Sequence, residues 1–150
     1  MRAHIALAVM ASCMVLAGCA SGPKLADAQS DVPPLAPDHG RIYFYRASTA
    51  GFAVQPGIYL NKQKVGDCEP KGVFITDVPP GDYEAVTTTE VERKVSFTIA
   101  AAEEKFVRCR ISIGVVVGHG ILELVDPARA RREIEKLSYT GHGEFPTASR

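Results

Sequence analysis

Val107, Cys109, Ile111 and Ile113 alternate with Arg108, Arg110 and Ser112. Period-two alternation sustained over seven residues fits a half-buried β-strand, because successive side chains of an extended backbone point to opposite faces. Cys109 is thereby placed on the core face. Val95, Phe97 and Ile99 repeat the pattern against Ser96 and Thr98. Upstream, residues 41–46 are rich in β-branched and aromatic side chains, which pack well on a pleated surface. If Ile42 and Phe44 face inward, Tyr43, Tyr45 and Arg41 share the other face.

The remaining segments extend the same architecture. Residues 58–60 and 64–66 flank Asn61-Lys62-Gln63, a polar linker of hairpin length. Residues 72–77 read as a strand that ends in Val78-Pro79-Pro80-Gly81-Asp82. Pro80 and Gly81 there suit the central positions of a type II turn, with 83–88 returning. Gly118-His119-Gly120 reads as a turn before a strand at 121–125. One helix follows: Asp126 is a good N-cap, Pro127 is preorganised for the first helical position, and Ala130, Ile134 and Leu137 form one apolar stripe. The predicted fold is mainly β: an antiparallel β-sandwich, transthyretin-like or Ig-like, or a partly closed barrel, with one C-terminal amphipathic helix.

The N-terminus has a different logic. Arg2 precedes an apolar run at 5–16, which as a helix of 12 residues would measure about 18 Å against a hydrocarbon core of about 30 Å. It has the form of a cleaved targeting segment. The Leu16-Ala17-Gly18-Cys19 that closes it resembles the lipobox of bacterial lipoproteins. That resemblance implies cleavage before Cys19, which then carries a diacylglycerol and an N-acyl lipid. Each buried CH₂ of those chains is worth about 0.8 kcal/mol, and several chains together anchor stably. The same resemblance implies the periplasmic face of the outer membrane, because Ala20 stands where enteric-type sorting uses aspartate for inner-membrane retention.

The chain then divides into a signal peptide (1–18), lipidated Cys19 with a flexible tether (19–39), a sandwich domain with its closing helix (40–138) and a flexible tail (139–150). Ser21, Gly22, Pro23, Pro33, Pro34 and Pro37 interrupt any helical or strand pattern and so predict the tether. As a coil it would hold the domain about 25 Å from the bilayer, and fully extended about 60 Å.

Removal of residues 1–18 leaves 132 residues with a formal net charge of −1, enough chain for one domain with its own core. Near-neutral charge without a basic block excludes the electrostatic footprint of a nucleic-acid binder. Cys13 leaves with the signal and Cys19 is taken by lipid, so Cys68 and Cys109 remain. An oxidising envelope permits a disulfide between them; two separate buried thiols are the other reading.

Gly40-Arg41-Ile42-Tyr43-Phe44-Tyr45-Arg46, Ile58-Tyr59-Leu60-Asn61 with Val65-Gly66, and Val78-Pro79-Pro80-Gly81-Asp82-Tyr83 stand in a familiar order. Over about residues 39–137 the chain resembles a family of bacterial lipoproteins built on one small domain of unknown function. The resemblance implies a β-domain at a membrane and supplies no catalytic residues. It departs at Ala102-Glu103-Glu104-Lys105-Phe106, where such proteins often turn through glycine-lysine.

Chemistry is sparse. Neither Ser48 nor Ser112 has the glycine two residues earlier that a nucleophile elbow needs. Asp67, Glu69, Asp77, Asp82 and Glu84 cluster near turns, where acids commonly serve solubility. No enzyme and no cofactor are expected; a hydrolytic enzyme would need a concave cluster joining a carboxylate with a histidine. The alternative to a binding or structural module is a metal-binding lipoprotein using His39, His119 and His142, two of them in Gly-His-Gly tripeptides. Arg41, Tyr43 and Tyr45, and separately Arg108 and Arg110, are candidate contacts for a partner, another envelope protein, or else residues of a covered or solvated sheet face.

Overall fold

A computed structural model describes residues 19–88, 94–113 and 118–146; the predicted signal peptide lies outside them. Nine strands and one helix are present among these residues: β1 Gly40–Tyr45, β2 Gly57–Leu60, β3 Gln63–Asp67, β4 Gly72–Val78, β5 Gly81–Thr87, β6 Lys94–Ile99, β7 Glu104–Ile113, β8 Gly118–Leu124, α1 Pro127–Ile134 and β9 Ser138–His142. One sheet has the order β8-β7-β1-β4-β9, the other β3-β2-β5-β6. The sheets pack face to face as a sandwich, and no closed barrel forms among the described residues. Pairing is antiparallel except for β1 with β7 and β4 with β9, so the larger sheet is mixed.

The alternation along each strand sorts side chains as the sequence predicts. Ile42, Phe44, Phe74, Phe97, Ile99, Val107 and Cys109 fill the space between the sheets. Tyr45, Val73, Ile75 and Phe106 face the opposite way and are covered by Ala130, Ile134 and Leu137 at and just after α1. Asp126 caps the helix by accepting from the Arg129 N–H at 3.1 Å. A disulfide joins Cys68, just after β3, to Cys109 on β7 and so staples the two sheets.

Four expectations are corrected. Residues 20–32 are not a flexible tether: Leu25 and Ala28 are buried, Lys24 bridges Ser138, and backbone bonds run from Ala20 to Pro70, from Leu25 to Leu137 and from Tyr139 to Pro23. The segment supplies apolar contacts that α1 alone leaves incomplete. Residues 139–146 are not a loose tail, because β9 adds an edge strand to β4 and Phe145 packs edge-on against Tyr83; 147–150 of the predicted tail lie outside the described residues. Gly118-His119-Gly120 is the start of β8 rather than a turn. Finally, Pro79-Pro80-Gly81-Asp82 is not a type II turn, because Gly81 does not take a positive φ. β4 and β5 belong to different sheets, so the chain rounds a corner there, pinned by the Tyr83 hydroxyl donating to the Pro79 carbonyl at 2.7 Å.

Candidate functional site

A hollow of about 560 Å³ opens between the edge strands β3 and β9 and is lined by Gln63, Lys64, Asp77, His142, Glu144 and Phe145 among others. Two local features of the chain create it. The β4–β9 register slips between Val73 and Phe74, where Thr140 bulges and Gly141 takes φ +128°. Gly143 then lies so close to the Val65 carbonyl that a Cβ there would clash with it. The glycines of Gly141-His142-Gly143 are thus used for backbone conformation and close approach. The histidine between them is delivered to the cleft.

His142 Nε2 stands 3.3 Å from Asp77 Oδ2. Asp77 in turn receives Arg41 Nε and a terminal guanidinium nitrogen, both at 2.7 Å, in a cross-strand pair between β1 and β4. Burial works to raise the Asp77 carboxyl, but the Arg41 guanidinium, with a smaller contribution from His142, holds it below the usual carboxylate range. An ionised carboxylate therefore orients the imidazole at the cleft wall. Lys64, paired with Asp67 at 2.8 Å, and the Gln63 amide face it from the other sheet. The lining offers donors and acceptors of both charge signs, a set able to hydrogen-bond a polar ligand.

The residues singled out in the sequence fall elsewhere or are committed to one another. Arg41 and Tyr45 are buried. The Tyr43 hydroxyl donates to Glu104 at 3.0 Å and that of Tyr45 to Glu133 at 2.8 Å. Arg108 bridges Glu123 and Glu133, and Arg110 grips both oxygens of Glu123. The candidate partner surface is instead a network partly beneath α1, with Arg110 at its half-exposed rim; a covered sheet face needs such internal partners. The three-histidine metal site is also corrected. His119 on β8 and His142 on β9 occupy opposite edges of a five-stranded sheet, separated by four strand spacings, about 19 Å across the sheet alone. His39 bonds Asp38 at 2.8 Å. No group of three or more His, Cys, Asp or Glu among the described residues can hold a metal ion. Cys19 is exposed and outside any disulfide.

Sequence reasoning named Asp77 and His142 separately and did not join them. Only the unforeseen β9 brings them together, and the weak signal for it was the glycine on each side of His142.

A family model described as "Protein of unknown function (DUF2846)" matches residues 36–121, from before β1 into β8. It includes Asp77 and stops short of His142. An "Uncharacterized protein" of Haemophilus influenzae (strain ATCC 51907 / DSM 11121 / KW20 / Rd) is 25% identical over 130 residues, 83% of this chain and 77% of that relative. No solved structure matches the chain.

Proposed function

This chain belongs to the family of proteins of unknown function DUF2846, and from that premise we propose that it is a lipid-anchored envelope protein, a small periplasmic module that binds another envelope component in the β3–β9 cleft. The observation that carries the reading is Leu16-Ala17-Gly18-Cys19 behind a short apolar run, with Cys19 exposed and its thiol unbonded. In the lipoprotein pattern, the Cys19 sulfur takes the diacylglyceryl group of a phospholipid whose phosphorylated headgroup leaves with the thiol proton. Water then splits the Gly18–Cys19 bond, and the freed amine takes an acyl chain from the ester of a second phospholipid, which leaves as a lysophospholipid with the amine proton. Anchorage confines the cleft to a thin layer near the membrane and raises its effective concentration for a neighbour there.

Mass spectrometry of the protein extracted from its own membranes tests this directly. The expected species starts at Cys19, carries acyl mass and is two hydrogens light for the Cys68–Cys109 bond. An unprocessed chain without acyl mass overturns the reading. A hydrolytic reading has one specific observation in its favour, the Asp77–His142 pair in a cleft; ester or amide turnover lost on His142→Ala would put it first.

A further inference from the structure

The start of the folded chain holds Cys19 against the body of the domain. The Ala20 N–H donates to the Pro70 carbonyl at 2.9 Å, and the Ala20 Cβ lies where a Cβ on Gly72 would meet it at 3.0 Å. The Gly72 carbonyl accepts from the Arg46 N–H at 3.0 Å. Cys19 therefore sits at the rim where β1 ends and β4 begins, within electrostatic reach of the Arg46 guanidinium.

Arg46 also organises the rest of the rim. Its buried guanidinium donates to the carbonyls of Ala50, Val54 and Cys68 at 2.7, 2.8 and 3.0 Å. Those bonds fix the loop at 47–56, which contains no charged residue. Phe52 in that loop is 53% exposed, the most exposed large hydrophobic among the described residues. Beside the loop's start is a hollow of about 320 Å³ lined by Ser48, Thr49, Lys71, Arg108 and Arg110. Lys71 is exposed and takes part in no ion pair among the described residues. The neighbouring Arg108, Arg110 and Arg129 are paired with Glu123 and Glu133, and Glu69 lies beside Ala20 at the same rim, so Lys71 is the cation there outside any ion pair among the described residues.

We propose that this rim is a membrane-docking surface, in which Phe52 and its uncharged loop enter the headgroup region and Lys71 with Arg110 take the phosphate of an anionic phospholipid. The inference rests on the lipid-anchored reading and deepens it. An apolar side chain flanked by cations is the pattern that settles into a bilayer interface, to a depth of about 5–10 Å. With no leash between lipid and fold, the surface next to Cys19 is the one brought to the bilayer, and a loop held by Arg46 gives up little freedom on docking. Docked this way, the domain turns Gln63 and the β2–β3 turn away from the membrane.

The chain contains no tryptophan, so a single introduced indole reports without background. Phe52→Trp and, at the far end in the β6–β7 turn, Ala101→Trp place reporters about 30 Å apart along β7. Each variant is purified from its own membranes and reconstituted into phosphatidylglycerol–phosphatidylcholine vesicles carrying brominated acyl chains. Emission from position 52 should fall by about half or more while that from position 101 is unchanged. Adding Lys71→Glu should remove most of the difference between anionic vesicles and pure phosphatidylcholine. An acylated, vesicle-bound protein with both indoles in water, or with both quenched alike, overturns the docking surface and leaves the anchor standing. A chain without acyl mass that stays off vesicles overturns the lipid-anchored reading and this one with it.

Discussion

Arg41 and Asp77 face each other across β1 and β4 with side-chain exposures of only 8% and 14%. Their attraction is little screened by water, and neither can lose its partner without leaving a mostly buried charge. The Arg41 guanidinium also donates to the Pro33 carbonyl at 2.7 Å, which fastens the chain before β1. Asp77→Asn should therefore cost about 3 kcal/mol of stability at pH 7, read from urea denaturation; an unchanged midpoint would mean that the pair contributes nothing. The pH dependence has a definite sign. Burial opposes ionisation of Asp77, Glu123 and Glu133, yet bonds and charge from Arg41, from Arg110 with Arg108, and from Tyr45 with Arg129 hold all three below the ordinary carboxylate range. Their contribution is complete above the unfolded value of about 4 and is lost as pH falls through the lower folded values. The native protein should lose stability steeply below that point, and Asp77→Asn should flatten part of the acid limb. Tyr43, whose hydroxyl is pushed up to about 12 by burial and then by Glu104, stays a neutral donor throughout.

The hairpin of β2 and β3 turns through two residues, Asn61 and Lys62, with φ of 47° and 72°. Both central positions of this primed-type turn are left-handed, which suits asparagine and strains lysine. Lys62→Gly should relieve that strain and, after the greater entropy of an unfolded glycine is subtracted, stabilise the fold by about 0.5–1 kcal/mol. A lower thermal midpoint in the variant would contradict it. The sequence shows a polar linker here but not its length, because Gln63 is as polar as its neighbours while serving as the first residue of β3. Elements with an apolar alternation were legible: β1, β6 and β7 set one face between the sheets, the other face of β1 and β7 being covered beneath α1, and Ala130, Ile134 and Leu137 lie on the sheet as the helical stripe requires. β9 was not legible. Ser138–His142 has no apolar alternation, is bulged, and is a strand only because β4 offers it an edge. The candidate cleft shared that obscurity, since half of it is made by what β9 carries. Gly118-His119-Gly120 misled in the opposite direction: a Cβ at Gly118 would meet Ile111 at 2.9 Å and one at Gly120 would meet Thr87 at 2.8 Å, so these glycines serve packing within a strand.

At the scale of the whole molecule, two devices hold the layers together, and the sequence pointed to one. Cys68 and Cys109 were two candidates for a bond, and their disulfide ties the sheets across a separation of 41 residues. The other device is the segment before β1, whose prolines and glycines predict a loose tether. Prolines exclude regular structure, but they do not prevent a strap from docking when it carries apolar side chains at the right places. Here those are Leu25 and Ala28, with Val32 partly buried beside them, closing the layer of Tyr45, Val73, Ile75, Phe106 and Ile134. Leu25 is 7% exposed and its N–H donates to the Leu137 carbonyl at 2.8 Å. Leu25→Ala removes buried methyl groups from a packed layer, and such truncations cost about 2–5 kcal/mol when the site cannot collapse. A strap at the edge of the fold relaxes more readily than a central strand, so the lower end, about 2 kcal/mol, is expected. The same substitution in a solvated tether would cost nothing, which makes urea denaturation of Leu25→Ala beside Leu35→Ala, a less buried leucine of the same segment, decisive. A strap predicts a clear loss at position 25 and a smaller one at position 35. Equal and negligible effects would return residues 20–32 to the role of a leash.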